Sequence, residues 1–147
     1  MTRWVIVALR LLIGGVFLYA AYTKLKDPWL VFALSIDAYQ LLPSWAVFFV
    51  ARTLPWAELL LGLWLVSGIG LRYASAAGSA LLAFFFAIMV RSYAKGLTID
   101  CGCFGLGDAL GPKTLIRDGL LLAAAVGLCV LAFRGKRRLV GENSSVA

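Results

Sequence analysis

Tyr73-Ala-Ser-Ala-Ala-Gly-Ser-Ala-Leu-Leu-Ala-Phe-Phe-Phe-Ala-Ile-Met-Val-Arg-Ser-Tyr93 holds a single charge, Arg91, close to its end. A helix rises about 1.5 Å per residue, so a stretch of this length crosses a hydrocarbon core about 30 Å thick. Outward from it lie three more such stretches. Residues 45–69 carry Arg52 and Glu58, residues 4–23 carry Arg10, and residues 113–133 are charged only in their first turn and a half. The whole composition agrees: 63% of the 147 residues are hydrophobic and 14% charged, against roughly 45–50% apolar in soluble domains. Mean hydropathy is +0.94. The expected fold is all-α, an integral membrane four-helix bundle forming one domain over residues 1–147. The first span resembles a secretory signal, but Leu18-Tyr19-Ala20-Ala21-Tyr22 offers no convincing cleavage site, so a retained helix is expected.

The connections are unequal. Gly70-Leu71-Arg72 is a minimal link, which makes spans two and three a tight antiparallel hairpin, with small residues such as Ala76, Ala80 and Ala83 permitting close helix approach. On the other side, residues 29–42 follow Asp27-Pro28, and Pro43 closes them. Trp29 and Tyr39 mark this segment as a short helix at the outer interface. Residues 95–112 form a second long connection, with five glycines and Asp100-Cys101-Gly102-Cys103-Phe104-Gly105.

Four spans put both termini on one side. Counted by loops the basic residues tie, six on each side, but the Arg134-Gly-Lys-Arg-Arg138 cluster abuts a span end and favours a cytoplasmic tail over 134–147. Disulfide chemistry belongs outside a reducing cytosol, which places the cysteine loop extracytoplasmically and the protein in the cell (inner) membrane. The net charge of +7 is then a topology and anionic-lipid signal, and nucleic acid is not an expected partner.

Cys101 and Cys103 flank one glycine. Disulfide Cα atoms lie roughly 4.4–6.8 Å apart, so the chain must fold sharply at Gly102. Such a ring is small and strained, and it closes almost no loop. That favours an oxidising exchange site over a structural staple. Cys129, deep in span four, is expected to be a small buried apolar residue. Two thiolates also suit Cu(I). The absence of histidine and of a second cysteine pair weakens a metal site, and no metal is expected.

Charges within spans call for an explanation. Glu58, one turn after Pro55, either forms an ion pair with Arg10 or serves a proton or quinone site. Arg52 and Arg91 either snorkel to headgroups or stabilise a thiolate or reduced quinone beneath the loop.

The chain resembles the DoxX-like membrane proteins and, within them, the MauE branch of methylamine utilisation. The resemblance rests on Gly14-Gly15-Val-Phe17 with Lys24, on Asp27-Pro28, and on Tyr39-Gln-Leu-Leu-Pro43. It continues through Leu54-Pro55-Trp-Ala-Glu58 with Gly62 and ends on Asp100-Cys-Gly-Cys-Phe-Gly105. It implies a four-helix bundle in extracytoplasmic thiol redox, with Cys101 and Cys103 as the reactive pair and a link to membrane quinone. The expected function is therefore a membrane thiol–disulfide oxidoreductase acting on a thioredoxin-like or cysteine-rich extracytoplasmic client, alone or in a homo- or hetero-oligomer. The alternatives are a non-enzymatic scaffold subunit of a redox complex and a Cu(I)-handling protein.

Overall fold

A computed structural model describes residues 2–99 and 109–145, with side chains up to residue 135. Five helices follow in order: α1 (Thr2–Lys26), α2 (Trp29–Asp37), α3 (Ser44–Ser67), α4 (Leu71–Ala94) and α5 (Pro112–Ser145). No strand is assigned within them, and α1, α3, α4 and residues Pro112–Gly135 of α5 are long and apolar enough to cross a membrane. The chain is an all-α, four-span bundle with one short extra helix.

Local chemistry sets the ends. Asp27-Pro28 stops α1, because the residue before a proline is driven out of the helical region. Pro43, extended at φ −66°, leads into α3. The α3–α4 turn comes earlier than its sequence suggests. Gly68 adopts φ 74° and ends α3 at Ser67, and Gly70 adopts φ 57°. Such backbone favours glycine, and Trp64 Nε1 seals the turn by donating to the Ile69 carbonyl at 2.7 Å. At the far end α5 does not stop at the expected tail but runs on to Ser145. Lysine and arginine propagate a helix well, and no proline follows Pro112.

Lipid gives helices no hydrophobic reason to associate, so close packing must supply it. α1 and α3 run antiparallel and meet at Gly14 and Gly62, where an added Cβ on Gly14 would stand 2.7 Å from Val66 Cγ2 and one on Gly62 3.0 Å from the Gly14 carbonyl. Around this seam Ile13, Phe17, Leu65, Ala74, Ala125 and Leu128 join four helices in one core. A second core, Phe32, Ala33, Val47, Ala51 and Leu54, seats α2 on α3. Trp4, Phe49, Leu60 and Leu120 face outward, as a lipid-facing surface requires. The α1–α2 and α2–α3 links, the end of α4 and the start of α5 share one end of the bundle, called here the loop end.

Candidate functional site

Phe17, Ala20, Ala21 and Lys24 are buried at spacings of three and four along α1. On α3 the buried set is Val47, Ala51, Leu54, Pro55, Glu58, Gly62 and Leu65. Lys24 and Glu58 therefore lie on facing core stripes. Helical Cβ atoms tilt toward the N-terminus, so the lysine, two residues from the end of α1, reaches back into the bundle. Its Nζ donates to both Glu58 carboxylate oxygens, at 2.9 and 2.8 Å. The two side chains are 2% and 5% exposed. The same Nζ stands 5.3 Å from the Phe32 ring centroid, which ties α2 to the pair. One turn earlier, Pro55 lacks the N–H that would have bonded the Ala51 carbonyl.

This corrects the expected Arg10–Glu58 pair. Arg10 lies more than three turns before Lys24, and the same backward tilt carries its side chain away from Glu58. Its guanidinium instead sits against Gly68, where a side chain at residue 68 would collide with it. Arg10 Nε is buried without a hydrogen-bond partner among the described residues.

The pair stands in the wall of a cleft of about 720 Å³ between residues 50–58 of α3 and residues 81–91 of α4. Phe32, Phe84, Phe85, Ile88 and Leu54 make most of its surface apolar, while Lys24, Glu58, Tyr39 and Arg91 supply polar groups. Thr53 and Ser35 also line it, but their hydroxyls donate to the Phe49 and Val31 carbonyls of their own helices, so each offers the cleft an oxygen lone pair. Volume and lining match ordinary small-molecule sites, which run to about 300–1,000 Å³ with few polar groups.

Arg91 thus joins Glu58 at the cleft. Arg52 does not: it lies over the Trp29 ring at 5.0 Å, and Trp29 in turn meets Phe48 edge-on at 5.7 Å. Cys129 is half-buried rather than buried. The expected reactive segment, Asp100, Cys101, Gly102, Cys103, Phe104 and Gly105, lies outside the described residues. Its anchors are defined: Leu110 N–H donates to the Ile99 carbonyl at 2.9 Å, and Thr114 Oγ1 donates to the Ala109 carbonyl at 2.9 Å. The loop is therefore rooted at the loop end.

A family model, that of the methylamine utilisation protein MauE, matches residues 2–131. The chain belongs to the MauE family. The match runs from the start of α1 through most of α5 and leaves out the basic end of that helix. With four helices of spanning length, this MauE-family chain is a multi-pass membrane protein. No match was found among curated proteins or among solved structures.

Two buried charged residues were given no role from the sequence. Lys24 falls just outside the expected span 4–23, yet its register with the buried Phe17 and Ala20 makes it core-facing. Asp118 is 6% exposed and shares its face of α5 with the buried Thr114, Ala125 and Leu128. Its neighbour Arg117 donates to it from Nε at 3.0 Å.

Proposed function

We propose that the chain is a membrane thiol–disulfide oxidoreductase that oxidises cysteine pairs of an extracytoplasmic, thioredoxin-like client and works with a membrane quinone. The observation that carries this reading is the ligand-sized apolar cleft whose wall holds Lys24, Glu58 and Arg91, in a bundle whose cysteine loop is rooted at the end toward which Arg91 lies. The cysteine loop faces outside and the termini face the cytoplasm, as the Arg134–Arg138 cluster argues.

In the thiol half, a client thiolate attacks the Cys101–Cys103 disulfide and forms a mixed disulfide. The second client thiolate then resolves it, leaving the client oxidised and Cys101 and Cys103 as two thiols. Two electrons have moved to the protein, and their release must be accompanied by two protons.

The cleft residues fit a quinone: Phe32, Phe84 and Phe85 suit a flat apolar ring, while Tyr39 and Arg91 are donors for carbonyl oxygens. A bound quinone supplies a two-electron, two-proton acceptor. Glu58 is the carboxylate in the wall able to hold or pass a proton, and Lys24 fixes its position with two hydrogen bonds. The apolar remainder keeps bulk water from that carboxylate.

A Cys103→Ala variant in native membranes tests this reading. We expect an adduct through Cys101 that dissolves in reductant, carries a thioredoxin-like cysteine pair, and is lost when Cys101→Ala is added. If neither single cysteine variant forms such an adduct, the oxidoreductase reading fails.

A further inference from the structure

Glu58 has a second aspect. Besides the large cleft it lines a small cavity of about 40 Å³ between α1, α3, α4 and α5, whose other polar wall residue is Asp118. Phe85 stands in both walls and separates the two spaces. A water molecule needs about 10–15 Å³ of such space and two to four polar partners. The cavity has room for two or three, and a carboxylate on either side to bond them. Glu58 and Asp118 are 4% and 6% exposed, each more than nine-tenths buried. Asp118 lies one turn along α5 from Thr114, whose hydroxyl holds the root of the cysteine loop.

We propose that Glu58, water in the small cavity and Asp118 form a proton path between the large cleft and the loop end of α5. This rests on the oxidoreductase reading. Closing Cys101–Cys103 forms one S–S bond, breaks two S–H bonds and releases two electrons and two protons. A quinone held in the cleft by Tyr39 and Arg91 would supply the acceptor for both electrons and two protons. The path lets a proton arrive at Glu58 from the loop side without crossing lipid. The charged and titratable groups around it are Lys24 from α1, Arg91 of α4 and Tyr39 of the α2–α3 link on the cleft side, and Arg117 beside Asp118. Asp118 is thereby a proton carrier, and Phe85 the wall that keeps cleft and cavity apart.

The full-length protein in phosphatidylcholine–phosphatidylglycerol liposomes allows two readouts. Infrared difference spectra over a pH titration identify the Glu58 carboxyl by its loss in Glu58→Gln. Asp118→Asn is expected to shift the Glu58 band and its midpoint, and Leu121→Phe, which fills the cavity without changing charge, to abolish the coupling between the two carboxyls. A Glu58 band and midpoint unchanged in both variants overturn the path, whatever the activity. In the second readout, dithiothreitol is the dithiol and a short-chain ubiquinone the acceptor. Asp118→Asn should slow reduction by about a hundredfold, the low end for a proton-transfer group, with Asp118→Glu restoring most of it. An Asp118→Asn rate equal to wild type also overturns the path. If wild-type reduction does not depend on Cys101 and Cys103, the oxidoreductase reading fails instead, and the infrared result still decides the path.

Discussion

Replacing one partner of the Lys24–Glu58 pair should cost far more than replacing both. At 2.8 Å and an effective dielectric of about 20, the pair attracts by about 6 kcal/mol. Desolvating two ions costs several kcal/mol each, so the net worth of the pair is close to zero. Lys24→Met alone leaves Glu58 desolvated with no cation beside it, and Glu58→Met alone leaves the ammonium in the same position. Breaking a buried pair in this way costs about 3–5 kcal/mol, or two to three and a half orders of magnitude in the folding equilibrium at about 1.4 kcal/mol per tenfold. The double variant Lys24→Met/Glu58→Met has no orphaned charge, and such replacements are neutral or stabilising by about 1–4 kcal/mol. Steric-trapping unfolding in lipid bicelles gives all four free energies and closes the double-mutant cycle. Two single variants within about 0.5 kcal/mol of wild type, with an additive double, would refute the pairing of these residues in the folded protein.

Two further predictions concern packing and topology. Gly62→Ala should destabilise by about 1–3 kcal/mol, since its Cβ would stand 2.9 Å from Leu18 and 3.0 Å from the Gly14 carbonyl. Gly15→Ala, with nothing within 4 Å of its Cβ, should stay within about 0.5 kcal/mol of wild type; thermal unfolding in detergent compares them. An impermeant thiol reagent applied to intact cells should reach reduced Cys101 and Cys103 but not a cysteine at Ser145→Cys, and outside labelling of the latter reverses the orientation.

The spans were legible because the bilayer leaves few ways to hide a backbone, so length and apolarity alone identify a crossing helix. What surrounds Glu58 was not legible in the same way. A tally of charges by loop assigns Lys24 to the aqueous side, because it lies three residues before Asp27. Its helical register with Phe17 and Ala20 assigns it to the core, and the register prevails because the α1–α3 seam at Gly14 and Gly62 fixes which faces meet. The same test on α5 finds Asp118 on the stripe of Thr114, Ala125 and Leu128. The cleft left no such trace. It is a space between residues 50–58 and 81–91, set by how α2 and two spans pack at the loop end, and no local pattern encodes a gap between helices. Charge alone does not tell Arg91, which lines the cleft, from Arg52, which lies over Trp29.

The near-zero net worth of the buried pair bears on why it is there. A methionine pair would fill the same volume in the α1–α3 seam at no loss of stability, so packing does not require charge at this depth. Nor does helix orientation, which the Gly14–Gly62 contact and two apolar cores already fix. Besides the Lys24 contact with Phe32, an apolar pair would remove a carboxylate held between a ligand-sized cleft and a smaller cavity lined by Asp118. The double variant therefore separates structure from function. It should fold as well as wild type and yet fail to reduce a short-chain quinone from dithiothreitol. A stable double variant with full activity would leave the pair without a part in the chemistry, and the cleft with Arg91 and Tyr39 alone to act on its ligand.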